Sequence, residues 1–109
     1  MALNTDHQIV VRTADQQVFS VDHGLFLPGN HNWTAASLAT AAPATLDPQF
    51  AQHLERAELD AAVDRLRVVS DAAIARVLAG VPPTWGAGDS MLTALAGYLA
   101  ERRDRLCNP

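Results

Sequence analysis

The sequence contains one cysteine, Cys107, and no lysine among its 109 residues. A single thiol excludes an internal disulfide framework and a multi-cysteine metal site. There is no run of about 18 apolar residues, so a membrane-spanning helix is excluded. No basic segment followed by an apolar one opens the chain, so no signal peptide is expected and the expected setting is cytoplasmic. Cations are scarce: eight arginines face twelve acids, nine of them Asp, for a formal net charge of −4. No basic stripe is present, and such a chain is a poor nucleic-acid binder. The cluster Arg102-Arg103-Asp104-Arg105 is too short to change that. It is predicted to fall in the last turn of a helix, where cations suit the helix dipole.

Alanine, by contrast, is plentiful: it accounts for 20 of the apolar residues. Few larger side chains remain for a core, which favours close-packed helices over a large β-sandwich. A chain of this length is one small domain, 1–109, burying only about two-thirds of its unfolded surface. Residues 1–32 are polar and rich in His and Asp, whereas 33–109 are alanine-rich and helical in period.

In the first region, Ile9-Val10-Val11 and Val18-Phe19-Ser20-Val21 are β-branched or aromatic runs flanking a polar stretch centred on Asp15. This pattern predicts a β-hairpin. An isolated hairpin is marginal in water, so it is expected to pack on the helices. A short helix is predicted between Asn32 and Thr40, capped by Asn32 or Thr34. Asp47-Pro48 predicts another, running to about Leu54.

From Glu58 the stripe Leu59, Val63, Leu66 and Val69 is helical in period. Ser70-Asp71 offers a new N-cap, so a break is expected there, followed by a helix carrying Ile74, Val77 and Leu78 that Gly80 and Pro82-Pro83 stop. Asp89 is expected to cap a last helix with the stripe Leu92, Leu95, Ala96, Leu99 and Leu106. The predicted fold is therefore mainly α, with an N-terminal β-hairpin on about four or five helices. Leu59, Val63, Leu66, Ile74, Val77, Leu92, Leu95 and Leu99 are the expected core. Trp33 and Trp85 are read as packing anchors.

The chemistry is concentrated in the first region. Asp6 precedes the first strand and Asp22 ends the second, so a hairpin would bring the two carboxylates to one end. Two acids so placed suit phosphoryl transfer: one orients or deprotonates the acceptor hydroxyl, and the other holds magnesium on the nucleotide phosphates. Gly24 would let the chain turn away without a side chain blocking the metal. A different reading groups His7, His23 and His31 with Asp22 as a zinc site, which would make the chain a small metal-dependent hydrolase using Asp22, His23 and His31.

Four groups of residues carry a likeness to a known family: Asp6-His7-Gln8; Ser20-Val21-Asp22-His23-Gly24; Phe26-Leu27-Pro28-Gly29; and Asn32-Trp33-Thr34. At these positions the chain resembles the HipA-like kinases, and the likeness extends over most of its length. Val81-Pro82 with Trp85-Gly86, and the closing Tyr98-Leu99-Ala100-Glu101-Arg102-Arg103, resemble the C-terminal part of that family. The resemblance implies a kinase C-lobe fold and an ATP-dependent, magnesium-requiring phosphotransferase. Asp6 would match the catalytic-loop acid, and Asp22 the metal-binding acid of an Asp-Phe-Gly-type triplet, with His23 in the Phe place and Gly24 closing it.

Gln8 follows Asp6 by two residues, where kinases of this fold carry an Asn several residues on as the second metal ligand. These 109 residues hold no glycine-rich phosphate loop and no strand lysine. The resemblance thus covers only the C-terminal part of a kinase, expected to be inactive alone. Its expected partner is a missing N-lobe or upstream polypeptide, or a second copy in a homodimer, because the hairpin and Leu25-Phe26-Leu27 would otherwise leave apolar surface uncovered. The competing expectation is a non-enzymatic regulatory module that retains the fold and binds a partner.

Overall fold

The computed structural model describes residues 8–21, 27–41 and 55–108. The chain divides into two units after Ala41. The architecture is mainly helical, with one two-stranded antiparallel hairpin among the described residues.

In the first unit, β1 (Gln8–Val11) pairs with β2 (Val18–Val21) in the register Gln8 to Val21, Ile9 to Ser20, Val10 to Phe19 and Val11 to Val18. The turn is closed by the Arg12 amide donating to the Gln17 carbonyl at 2.9 Å and the Gln16 amide to the Arg12 carbonyl at 2.8 Å. Gln16 takes the left-handed conformation, φ 59°. Val10 and Phe19 on one face and Val11 and Val18 on the other are all exposed. The expected burial of the hairpin is therefore not found at these four side chains.

A 3-10 turn, Asn30–Asn32, leads into α1 (Ala35–Ala39). Thr34 caps α1: its hydroxyl accepts from the Ser37 amide at 3.1 Å, and the Ser37 hydroxyl accepts from the Thr34 amide at 2.8 Å. The Ser37 hydroxyl also donates to the Pro28 carbonyl at 2.7 Å. That contact depends on Gly29, whose φ of 90° few side chains tolerate. A Cβ at Gly29 would lie 3.0 Å from the Trp33 Cα. These contacts hold α1 in the first unit, so the division falls later than the change of composition at 32.

The second unit contains three described α-helices. α2 (Arg56–Arg67) starts at Glu55, whose amide donates to the Glu58 carboxylate at 3.3 Å. The helix thus begins slightly before the predicted stripe. α3 (Asp71–Ala79) is capped by the Ser70 hydroxyl, which accepts from the Ala73 amide at 3.1 Å, and it ends at Gly80 ahead of Pro82-Pro83. A 3-10 turn, Pro83–Trp85, then leads to α4 (Asp89–Cys107). The cap of α4 is Gly88 rather than Asp89, which is already helical. The helix predicted over 47–54 lies outside the described residues.

α4 packs against both α2 and α3. Ile74 and Leu95 are buried as expected, together with Tyr98 and Cys107. Val63, Leu66, Leu92 and Leu99 are half-buried. Two members of the predicted core are not in it: Leu59 is 40% exposed and Val77 73% exposed. Both belong to an apolar helical stripe, but each lies on an edge that the neighbouring helix does not reach. Trp85 is 75% exposed and is not a packing anchor. Among the described residues, no helix is long and apolar enough to cross a membrane.

Arginines join the helix ends. Arg103 donates to the Val69 carbonyl at 2.7 Å and pairs with Asp71 at 2.7 Å and with Asp104, and these two carboxylates raise its pKa above the ordinary value. Arg67 donates to the Cys107 carbonyl at 3.0 Å, tying the end of α2 to the end of α4.

Candidate functional site

Gln8 is the first residue of β1, and its backbone lies opposite Val21, the last residue of β2. The antiparallel register therefore sets the start of one strand beside the end of the other. Asp6 stands two residues before Gln8 in the chain, and Asp22 directly follows Val21. Asp6, His7, Asp22, His23 and Gly24 lie outside the described residues. His31 lies in the Asn30–Asn32 turn and is exposed. Among the described residues, no group of three or more His, Cys, Asp or Glu is arranged to hold a metal ion.

The other end of the hairpin carries its own polar cluster. The Arg12 guanidinium donates from Nε to Asp15 Oδ1 at 2.8 Å and lies over the Phe19 ring, 5.4 Å from its centroid. This guanidinium, and secondarily the Gln17 amide at 3.2 Å, holds the Asp15 carboxyl below its ordinary value. The cluster is satisfied within the turn and exposed, so it acts as a turn clasp rather than a chemical centre.

In the second unit, a shallow apolar groove of about 260 Å³ runs between α3 and α4, lined by Ala75, Leu78, Leu92 and Ala96, with Asp89 at its margin.

Arg102 and Tyr98 are placed as their sequence context did not suggest. Arg102 is only 6% exposed, although it stands in the Arg-rich cluster near the end of the last helix. Its guanidinium carbon lies 5.4 Å from the centroid of the buried Tyr98 ring. Arg102 Nε, Arg102 Nη2 and Tyr98 Oη are all buried without a hydrogen-bond partner. The sequence did contain a signal: Leu95, Tyr98 and Arg102 are spaced along one helical stripe, so Arg102 follows two residues of the buried face at helical spacing.

Comparison with protein-family models, with curated proteins and with solved structures returns no match to this chain.

Proposed function

We propose that this chain is the C-terminal lobe of a HipA-like ATP-dependent kinase, inactive alone and completed by a polypeptide that supplies the N-lobe. The observation that carries this reading is the hairpin register. Because Gln8 pairs with Val21, the two acid-bearing segments of the sequence, 4–8 and 21–24, adjoin paired strand ends. A kinase C-lobe of predominantly helical build agrees with the helices that follow.

The proposed metal ligand is Asp22, whose carboxylate oxygens suit a hard cation such as magnesium. Bound magnesium would neutralise phosphate charge during transfer. Asp22 holds the metal in this reading, and Asp6 orients the acceptor hydroxyl and takes its proton. Gln8, His23 and Gly24 border the nucleotide phosphates. The phosphate clamp of such kinases is a glycine-rich loop and a lysine, and neither occurs in these 109 residues. Catalysis by positioning and electrostatic clamping loses orders of magnitude in rate without them.

The purified chain given ATP and magnesium should show no measurable phosphotransfer, and Asp22→Ala should abolish magnesium binding while leaving the helical circular dichroism unchanged. Robust phosphotransfer by the chain alone would overturn its incompleteness, and unchanged magnesium affinity in the variant would remove the role given to Asp22.

A second reading, a partner-binding module without catalysis, is favoured by the exposed Val10, Val11, Val18 and Phe19. Each face of the hairpin thus leaves an apolar cross-strand pair exposed, and exposed apolar surface of this kind marks an interface. In both readings the hairpin is covered by an N-lobe chain or by a second copy, in the cytoplasm. Light scattering that finds a clean monomer at high concentration would eliminate the homodimer.

A further inference from the structure

The buried, unpartnered edge of Arg102 is the strongest feature that the proposed kinase reading does not use. An arginine stays protonated at any pH a folded protein meets, so it cannot relieve burial by losing its charge. Its neighbours on α4 do not neutralise it. Glu101 is paired with Arg105, and Asp104 with Arg103. The Tyr98 ring face stabilises the cation but accepts none of its in-plane N–H groups. A buried charge without hydrogen-bonded compensation is strongly disfavoured, so this arrangement calls for an acceptor.

The identity of the orphaned atoms specifies which acceptor. Nε and Nη2 are the two nitrogens on the lateral edge of a guanidinium, and their N–H bonds run parallel. That fork matches two oxygens of one carboxylate or one phosphate. Tyr98 Oη, from the preceding turn of the same stripe, adds a third unpartnered polar atom that can donate. We propose that Arg102 and Tyr98 form an oxyanion-binding site in the helical unit, which takes an anion presenting two oxygens side by side: a carboxylate or a phosphate group. Arg102 and Tyr98 keep only 6% and 8% of their surface exposed, and their three unpartnered polar atoms are buried. An anion entering the site gives up its own hydration, which selects one that can accept several charge-assisted bonds at once and disfavours chloride.

The experiment compares sodium acetate and sodium phosphate with sodium chloride at matched ionic strength, using the full chain. Two readouts are followed: the thermal midpoint, and the NMR resonance of the Arg102 Nε–H, assigned with Arg102→Lys. At ten times the dissociation constant, the midpoint should rise by roughly 5–10 °C over chloride, and the Nε–H resonance should shift downfield. A response to acetate alone identifies carboxylate ligands, a response to phosphate alone identifies phosphate esters, and a response to both defines a general oxyanion site.

Arg102→Met should abolish the response and, in chloride, melt higher than the parent chain, because an uncompensated charge has been removed. Tyr98→Phe should weaken binding by up to about tenfold. If Arg102→Met does not fold, the Nε–H resonance of the parent chain decides. The proposal fails if neither anion moves the midpoint or that resonance relative to chloride. It fails equally if Arg102→Met responds to anions as the parent chain does.

Discussion

Ile74 and Val77 belong to the same helix and the same apolar stripe, yet one is 8% exposed and the other 73%. Truncating each to alanine therefore separates packing from pattern. Ile74→Ala removes three carbons from a buried site, a transfer loss of roughly 2.4 kcal/mol at about 0.8 per methylene. The cavity left between α3 and α4 adds to this, giving about 2.5–4 kcal/mol in total. Val77→Ala removes two carbons, but most of their surface is already in water, so the transfer loss is under about 0.5 kcal/mol. Alanine recovers about that much through its higher helix propensity, leaving a net change near zero. For a unit of this size, one kcal/mol moves the midpoint by about 4–8 °C. Ile74→Ala should thus melt roughly 10 °C or more below the parent chain, whereas Val77→Ala should melt within a few degrees of it. Thermal and urea unfolding followed by far-ultraviolet circular dichroism would measure both, with equal urea slopes confirming that the folded states are comparable. If Val77→Ala were as damaging as Ile74→Ala, the stripe rather than the packing would define the core, and the placement of α3 against α4 would be wrong.

Three further outcomes are expected. Ser70→Ala removes the hydroxyl that caps α3 and should destabilise the helical unit by about 1 kcal/mol, with Ser70→Asp restoring most of it; an unaffected melting midpoint would exclude the cap. Gly29→Ala and Gly86→Ala both force a side chain into a positive φ, but only Gly29 is also crowded: a Cβ there would meet the Ser37 Oγ at 3.1 Å, while one at Gly86 would face open space. Gly86→Ala should loosen its turn by about 1 kcal/mol and Gly29→Ala by about twice that or more, read by hydrogen exchange around each turn; the reverse order would contradict the crowding at Gly29. Asp15 has its pKa lowered by Arg12. Its contribution to the turn is therefore complete above the ordinary value of 3.8 and is lost as pH falls through the lower folded value. An NMR titration should place Asp15 below 3.8, and Arg12→Gln should move it upward; no movement in that variant would mean that the clasp is not formed.

Much of the local structure is determined by the sequence alone, because its causes act over three or four residues. The β-branched runs around Asp15 define the hairpin. Ser70-Asp71 defines the break between α2 and α3, and Gly80 with Pro82-Pro83 ends α3. Thr34 is legible as one of two candidate caps, with Asn32, because a hydroxyl in that position can satisfy an amide three residues on, and the structure selects it. The acidic pair Asp6 and Asp22 could be singled out for the same reason, as residues flanking two recognisable strands.

What the sequence could not decide is which side of each pattern meets another element. Leu59 and Val77 have the right period, but the packing of α2 and α3 on α4 leaves both exposed to water. α1 belongs with the first unit through a hydroxyl on Ser37 reaching the Pro28 carbonyl, a bond across nine residues that no compositional change marks. Arg102 and Arg103 are adjacent and chemically identical, yet a rotation of about 100° around the helix separates them. One reaches the Val69 carbonyl and the Asp71 carboxylate, and the other is buried beside Tyr98 with its hydrogen-bonding edge unfilled. Local signals specify where helices begin and end. Only their packing determines which arginine becomes a clasp and which is buried with its donors unmet.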